Sequence, residues 1–193
     1  MNEIKELFDK LAFSWDEGET CPIEKKRYLL NRLGIKRGDK VIDIACGTGV
    51  ITGILHETTG TDVLAVDLSD NMIDIARKKY ADEKEITFRQ CDFLSDPIDD
   101  RFDYAIIYNA YPHFLDVEKL KDRLYEILKK DGRFAIVHSL SRKELDSHHA
   151  GEASHISRSL LPPEEEAAFF TSLFTPIIAE EDENHYLLVF RKN

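Results

Sequence analysis

Val41-Ile42-Asp43-Ile44-Ala45-Cys46-Gly47-Thr48-Gly49-Val50-Ile51-Thr52 is the stretch of this sequence that decides the fold. An apolar run with one acid inside it leads directly into a Gly-x-Gly turn, and the residues after the turn are compatible with a helix. This pattern is typical of the first strand of an open α/β sheet, where the backbone approaches a small ligand at the carboxyl end of the strand.

Four more strands are predicted downstream of this stretch, at residues 62–67, 86–91, 102–108 and 133–138. Helical patterns lie upstream at residues 3–15 and 24–33, and downstream at about 50–58, 69–80 and 117–128, the last one followed by a turn at 129–132. Strands that alternate with helices favour a parallel sheet with crossover connections.

The end of the chain follows a different pattern. A helix is predicted at residues 164–173, and two strands, 176–180 and 185–191, then follow with only the polar turn 181–184 between them. Such a pair forms an antiparallel hairpin. The expected fold class is therefore α/β, a doubly wound, mostly parallel seven-stranded sheet with a C-terminal antiparallel hairpin.

Composition narrows the class of protein. The chain has 193 residues, 42% of them hydrophobic and 33% charged, as expected for one globular domain. No apolar run approaches the roughly 18 residues of a membrane helix and no signal peptide is evident, so a cytoplasmic protein without a membrane partner is expected. A net charge of −11 argues against nucleic acid as a partner.

The three cysteines, Cys21, Cys46 and Cys91, lie far apart and form no Cys-x-x-Cys pair. This spacing argues against a disulfide framework or a thiolate zinc site. Cys46 and Cys91 lie at strand ends and are expected to be buried.

Three acids, Asp43, Asp67 and Asp92, lie at or just past the ends of the first three predicted strands. The carboxyl ends of parallel strands lie along one edge of a sheet, so the three carboxylates should face one crevice. A carboxylate directly before the glycine turn does not suit the pyrophosphate of a dinucleotide. It suits a ligand that carries a positive charge or an amino group.

These motifs resemble those of the class I S-adenosylmethionine-dependent methyltransferases of the small-molecule type. Asp43–Gly49 resembles the Asp-x-x-x-Gly-x-Gly signature, Val66–Met72 the second motif, and Cys91–Phe93 the adenine-contacting motif. Leu128–Arg133 resembles the turn before the fifth strand. The segment Phe8–Asp16 is similar to the N-terminal cap helix of members that include the ubiquinone/menaquinone type.

The resemblance implies one domain with four parts: N-terminal cap helices (1–35), a cofactor-binding core (36–138), a substrate-side insertion (139–163), and the last helix with the hairpin (164–193). It implies that Asp43 orients the turn and the amino group of S-adenosylmethionine, that Asp67 accepts from both ribose hydroxyls, and that Asp92 accepts from the adenine amino group. Gly47 and Gly49 should let the backbone pack against the cofactor. The full set of implied cofactor-binding residues is Asp43, Ala45, Gly47, Gly49, Asp67, Leu68, Met72, Asp92, Phe93 and Asn109.

Candidate catalytic residues are His113, His138 and His149. His113 follows the fourth strand in Tyr108-Asn109-Ala110-Tyr111-Pro112-His113-Phe114, which departs from the Asp/Asn-Pro-Pro-Tyr motif of adenine and glutamine N-methyltransferases. It is either a general base, a helix cap or a packing residue beneath the cofactor.

Four of the seven histidines, His138, His148, His149 and His155, fall in or next to the insertion. Three hypotheses remain open for them: a substrate-binding or general-base group, a divalent metal site formed by His138, His149 and His155, or surface and capping residues. The expectation is that the protein has no metal site. Arg142 and Arg158 either pair with an anionic substrate or form salt bridges with the many acids.

The N-terminal segment carries Phe13, Trp15, Cys21 and Tyr28. As a lid, its aromatic rings could cover the sulfonium, whose charge favours π faces. Equally, they could pack the cap helices onto the core.

The expected function is transfer of a methyl group from S-adenosylmethionine to a small-molecule acceptor by in-line displacement, with no nucleic-acid partner and with an oligomeric state that the sequence does not define. One alternative is a non-catalytic S-adenosylmethionine-binding sensor or partner module. Another is an NAD(P)-dependent oxidoreductase that uses Gly47-x-Gly49-x-x-x-Gly53.

Overall fold

Seven strands form one mixed sheet in a computed structural model that describes residues 2–149 and 156–193, apart from the side chains of residues 2 and 146–149. The order across the sheet is β3-β2-β1-β4-β5-β7-β6. Neighbouring strands from β3 to β5 are parallel, whereas β7 is antiparallel to both β5 and β6. This arrangement confirms the predicted fold class. The strands are β1 (Val41–Ile44), β2 (Val63–Asp67), β3 (Ile86–Gln90), β4 (Phe102–Tyr108), β5 (Leu128–His138), β6 (Phe174–Glu181) and β7 (Tyr186–Lys192).

Eight α-helices are described, and three of them precede β1. The helices are α1 (Asn2–Leu11), α2 (Trp15–Gly18), α3 (Ile23–Arg32), α4 (Thr52–Thr59), α5 (Asp70–Lys79), α6 (Val117–Ile127), α7 (Arg142–His149) and α8 (Pro163–Ala168). Two 3₁₀ turns, Ala12–Ser14 and Tyr111–His113, complete the set. Among the described residues, none of the helices combines the length and the apolar character that a membrane crossing requires.

The central strands of the sheet are buried on both faces, as expected for parallel strands covered by helices. All four residues of β1 are buried. Because side chains alternate along a strand, Ile42 and Ile44 pack in the core on one face and Val41 packs in the core on the other. The fourth residue of β1, Asp43, is thereby enclosed in the protein instead of facing water.

The predicted cap of α5 is confirmed. The Ser69 hydroxyl accepts a hydrogen bond from the Met72 backbone N–H at 3.1 Å, which satisfies one of the amides at the start of the helix. One residue, Leu68, separates Ser69 from the end of β2, so α5 begins at the same sheet edge at which the glycine turn lies.

Several elements differ from the prediction. The helix predicted at residues 3–15 is divided into α1, a 3₁₀ turn and α2. The turn expected at 129–132 lies inside β5 as an irregularity, because Leu128 pairs with Phe102 and Arg133 pairs with Tyr104, and Asp131 adopts a left-handed φ of 59°. The last helix ends at Ala168 instead of residue 173. The insertion contains α7, which periodicity did not reveal because this helix is polar around most of its surface.

Candidate functional site

A cleft of about 1090 Å³, measured out to its open mouth, lies at the carboxyl ends of β1, β2 and β4. The strand order reverses between β1 and β4, and open α/β sheets bind ligands at such a switch point. Nine of the ten predicted binding residues line the cleft: Asp43, Ala45, Gly47, Asp67, Leu68, Met72, Asp92, Phe93 and Asn109. The exception is Gly49.

Asp43 presents a buried acceptor to this cleft. Its Oδ2 accepts a hydrogen bond from the Thr52 hydroxyl at 2.6 Å, while its Oδ1 is buried and makes no hydrogen bond within the described part of the chain. Burial raises the pKa of Asp43 to about 7. A buried carboxylate oxygen without a donor is costly, and a ligand that brings a positive charge or an N–H group removes that cost.

Asp67 joins β2 to the glycine turn. Its Oδ2 accepts from the Gly47 backbone N–H at 2.8 Å and its Oδ1 accepts from the Ser69 backbone N–H at 2.9 Å. Burial raises the pKa of Asp67, although the two backbone hydrogen bonds oppose this effect. The carboxylate is thus held in one orientation at the edge of the cleft, with lone pairs left to accept from a ligand.

Gly49 is required for a different reason from the one predicted. A Cβ at Gly49 would lie 2.8 Å from the Tyr80 ring and 3.1 Å from the Phe88 ring, and the backbone φ of Gly49 is 81°. The Tyr80 hydroxyl also donates to the Gly49 carbonyl at 2.8 Å. Gly49 therefore lets the turn pack against the core beneath it, and only Gly47 of this pair lines the cleft.

Ala45 occupies a left-handed conformation, with a φ of 55°, in the turn between β1 and Gly47. This conformation destabilises a residue with a Cβ by about 1–2 kcal/mol. Glycine avoids that strain but loses more backbone entropy on folding. We expect Ala45→Gly to raise the free energy of unfolding by about 0.5–1 kcal/mol, measured by urea denaturation. Ala105→Gly, in the buried strand β4, is the matched control and should lower it; equal losses in both variants would contradict strain at Ala45.

Asp92 and Phe93 also lie in the cleft wall. Asp92 Oδ1 accepts from the Leu94 backbone N–H at 3.1 Å and its Oδ2 accepts from the Ser95 hydroxyl at 2.6 Å. These bonds stabilise the turn after β3, and each carboxylate oxygen retains a further lone pair. Phe93 is 5% exposed and offers an apolar wall beside this acceptor.

Two carboxylates fasten the N-terminal helices to the rim of the cleft. Asp9 Oδ1 accepts from the Ser69 hydroxyl at 2.6 Å. Asp16 accepts from the Thr48 hydroxyl at 2.5 Å and forms an ion pair with Lys79 at 2.7 Å. Burial tends to raise the pKa of Asp16, but the hydrogen bonds from Lys79 and Thr48 outweigh this effect and lower the pKa. No local sequence pattern predicted either contact, because each joins segments far apart in the chain.

The aromatic residues of the N-terminal segment divide into two groups. Phe8 and Trp15 line the cleft and meet edge to face, with ring centroids 5.7 Å apart. Phe13 and Tyr28, which the lid hypothesis included, are 76% and 55% exposed and do not line the cleft. Of the predicted aromatic lid residues, Trp15 therefore lines the cleft, and Phe8 is a cleft residue that the lid hypothesis did not include.

The cysteines are free thiols, and Cys46 and Cys91 are buried as predicted. Cys21 is half-buried, and the Tyr108 hydroxyl donates to its Sγ at 3.5 Å. Burial raises the pKa of Tyr108 well above its usual range, so this cleft residue remains a neutral phenol.

His113 lines the cleft. Its Nδ1 lies 3.2 Å from the Ile156 carbonyl oxygen and 3.1 Å from the Ser157 hydroxyl. Its ring meets the Phe8 ring edge to face, with centroids 5.0 Å apart. Of the three candidate catalytic histidines, His113 is the one that the described structure places at the cleft.

His138 lies elsewhere. It is fully buried at the end of β5, packs edge to face against Tyr186 with centroids 6.2 Å apart, and does not line the cleft. The side chains of His148 and His149, and all of His155, lie outside the described residues, and so does the metal hypothesis that combined His138, His149 and His155.

Within the described residues, one group of three potential metal ligands comes together: His56, Glu83 and Glu85. Both glutamates are exposed and the group does not line the cleft. The two arginines of the insertion form salt bridges, Arg142 with Glu181 at 2.9 Å and Arg158 with Glu166 at 2.5 Å.

Residues 41–132 match a family model described as a methyltransferase domain. Among curated proteins, the chain is 30% identical over 127 residues to the sterol 24-C-methyltransferase erg6 of Schizosaccharomyces pombe, covering 63% of this chain and 33% of that protein. It is 29% identical over 148 residues to a demethylmenaquinone methyltransferase of Lactobacillus johnsonii, covering 70% of this chain and 60% of that protein. The chain thus spans less than two thirds of the length of these relatives.

Solved structures share the fold at low sequence identity. A methyltransferase from a Haloferax volcanii complex with the Trm112 methyltransferase activator superposes with a TM-score of 0.81 at 22% identity, over 96% of this chain and 97% of that one. The geranyl diphosphate C-methyltransferase of Streptomyces coelicolor superposes with a TM-score of 0.70 at 15% identity, over 88% of this chain and 79% of that one.

Proposed function

We propose that this chain is a class I S-adenosylmethionine-dependent methyltransferase that transfers the methyl group of S-adenosylmethionine to an apolar small molecule. The observation that carries the proposal is that Asp43 lines the cleft and that its buried Oδ1 has no hydrogen-bond donor among the described residues. A cofactor with an ammonium group and a sulfonium supplies what this oxygen lacks.

The cleft residues fit the parts of that cofactor in chain order. Asp43 suits its cationic end, Asp67 suits the ribose hydroxyls, and Asp92 suits the adenine amino group, since carboxyl oxygens accept hydrogen bonds. Apolar side chains that follow the same strands, Leu68, Met72 and Phe93, suit the faces of the adenine. Gly47 places backbone without a side chain next to Trp15 and Met72.

Bound S-adenosylmethionine supplies a methyl group on a positively charged sulfur, so the protein mainly needs to position the acceptor and exclude water. Phe8 and Trp15, carried by the fastened N-terminal helices, present ring surfaces to a cation and close one side of the cleft. His113 is the group that would take a proton at Nε2 from an acceptor that starts protonated.

Apolar side chains line much of the cleft, among them Ile4, Phe8 and Phe114. The Phe8 ring meets the His113 ring edge to face. The names of the relatives indicate acceptors of matching character, a sterol, demethylmenaquinone and geranyl diphosphate, each with a large hydrocarbon portion. This match supports an apolar acceptor over a nucleic acid or a polar peptide.

Cofactor affinity should depend on pH through Asp43. Below about pH 7 this carboxyl is largely protonated and neutral, so it cannot pair with a cation, and above that pH it is ionised. We therefore expect the Kd for S-adenosylmethionine to be about 30-fold weaker at pH 5.5 than at pH 8 and to level off above neutral pH. Isothermal titration calorimetry across this range checks it; an Asp43→Asn variant with the same pH profile as the wild type would contradict it.

The function itself is tested by calorimetric titration with S-adenosylmethionine and S-adenosylhomocysteine, followed by an assay of radiolabelled methyl transfer to demethylated quinones, prenyl diphosphates and sterols. We expect micromolar cofactor binding and transfer to at least one apolar acceptor. Binding without transfer to any acceptor would favour a non-catalytic module. Folded protein that binds NADH or NADPH but not S-adenosylmethionine would overturn the proposal.

A further inference from the structure

The segment Ile156–Leu161, which we call the strap, contacts the turn that carries His113. The Arg158 backbone N–H donates to the Pro112 carbonyl at 3.0 Å, and the Ile156 carbonyl lies 3.2 Å from His113 Nδ1. Ile156 and Leu160 are only 3% and 4% exposed, so the strap is packed into the protein at both of these points.

A buried carboxylate in α8 binds both the strap and the turn. Glu166 has no exposed surface, and it accepts from Arg158 Nη1 at 3.1 Å, from Arg158 Nη2 at 2.5 Å, from the Tyr111 hydroxyl at 2.7 Å and from the Leu161 backbone N–H at 3.0 Å. The Arg158 guanidinium also lies over the Tyr111 ring, 4.6 Å from its centroid.

Glu166 therefore holds the two sides of the His113 contact together. Tyr111 begins the single 3₁₀ turn that ends at His113, and Arg158 and Leu161 belong to the strap that supplies the Ile156 carbonyl. The strap is fastened a second time where the Tyr186 hydroxyl donates to the Leu161 carbonyl at 3.1 Å.

The contact defines the protonation pattern of the neutral His113 ring. The Ser157 hydroxyl near Nδ1 can either accept or donate a hydrogen bond, whereas the Ile156 carbonyl oxygen can only accept one, so both contacts are satisfied together only when Nδ1 carries the proton. Nε2 is then the nitrogen with the lone pair.

We propose that Glu166 is a positioning residue that, through Tyr111 and Arg158, holds His113 as its Nδ1–H tautomer and so keeps Nε2 as the proton-accepting nitrogen. The use of Nε2 in methyl transfer rests on the proposed function; the tautomer does not. Burial would raise the pKa of Glu166, but the hydrogen bonds from Arg158 and Tyr111 outweigh it and lower this pKa, so the carboxylate is ionised at neutral pH.

The test is a long-range ¹H–¹⁵N correlation spectrum of the imidazoles in cofactor-free, ¹⁵N-labelled protein, at a pH where they are neutral. His113→Gln identifies the His113 signals by their loss. The test variant is Arg158→Met combined with Glu166→Gln, because replacing both members of a buried ion pair by uncharged residues preserves folding far better than removing one. The matched control is Arg32→Met with Glu180→Gln. This Arg–Glu pair has contacts of 2.5 and 2.9 Å and involves neither the strap nor the turn that carries His113.

We expect wild-type His113 to show a protonated Nδ1 and an unprotonated Nε2, and the control variant to show the same pattern. In the test variant the two ¹⁵N shifts should move toward each other or exchange, while circular dichroism shows a folded protein. Ser157→Ala should keep the wild-type pattern, because the Ile156 carbonyl remains. A wild-type Nε2–H tautomer, or a test variant that retains the Nδ1–H pattern, would overturn the proposal. Since no cofactor is present, a failure of methyl transfer would not affect this outcome.

Discussion

Replacing Asp67 with alanine should weaken S-adenosylmethionine binding by more than 100-fold. The proposed pair of hydrogen bonds from the ribose hydroxyls to this carboxyl group contributes about 3 kcal/mol, and each 1.4 kcal/mol is tenfold in Kd. The loss should exceed that figure because the same group accepts from the Gly47 and Ser69 amides and so shapes the glycine turn at the cleft. Isothermal titration calorimetry measures the effect directly.

Two controls separate a binding effect from a folding effect at Asp67. Asp74→Ala removes a carboxylate that is 62% exposed on α5 and does not line the cleft, and it should leave Kd unchanged. Asp67→Asn keeps a hydrogen-bond acceptor without the charge and should fall between the alanine variant and the wild type. Wild-type affinity in a folded Asp67→Ala variant would show that the ribose is bound elsewhere.

Replacing Glu166 with alanine should lower the free energy of unfolding by about 3–5 kcal/mol, because it leaves the Arg158 charge without its carboxylate in the interior of the protein. The Tyr111 hydroxyl and the Leu161 N–H lose their acceptor at the same time. Urea denaturation at neutral pH measures the loss as a lower midpoint.

The matched comparison for Glu166 is Glu180→Ala; Glu180 is 36% exposed and its partners are Arg32 and His185. Because solvent screens this exposed carboxylate, its loss should cost about 1 kcal/mol or less. The combined Arg158→Met and Glu166→Gln variant should lie much closer to the wild type than Glu166→Ala. Equal losses for Glu166→Ala and Glu180→Ala would show that burial of the Arg158 pair has no special energetic weight.

The strands, and the sheet edge at which the cleft lies, could be predicted because their sequence signals are local. The apolar run Val41–Ile44 leads into a glycine turn. The strand β2 ends at Asp67, and β3 ends two residues before Asp92. Parallel strands necessarily bring such ends to one edge. That rule placed Asp43, Asp67 and Asp92 in one cleft before any distance was known.

Other features could not be predicted, since they depend on contacts between distant segments. Asp9 bonds Ser69 across 60 positions, and Tyr111 bonds Glu166 across 55. Glu166 stands in no motif, and the resemblance of the segment around Asp9 to a cap helix does not indicate Ser69 as its partner. Helix α7 was missed because its polar sequence has no apolar stripe for periodicity to detect.

The sequence by itself determined the sheet and the position of the cleft, because strand ends and glycine turns are encoded within a few consecutive residues; it indicated the cofactor only through the resemblance of its motifs to those of the methyltransferases. The tertiary structure decided which histidine reaches the cleft, placing His113 at its wall and His138 in the core. It also decided that Gly49 serves the packing of Tyr80 instead of the ligand. These outcomes depend on which side chains meet after the chain folds, and a list of residues in order contains no direct signal of that.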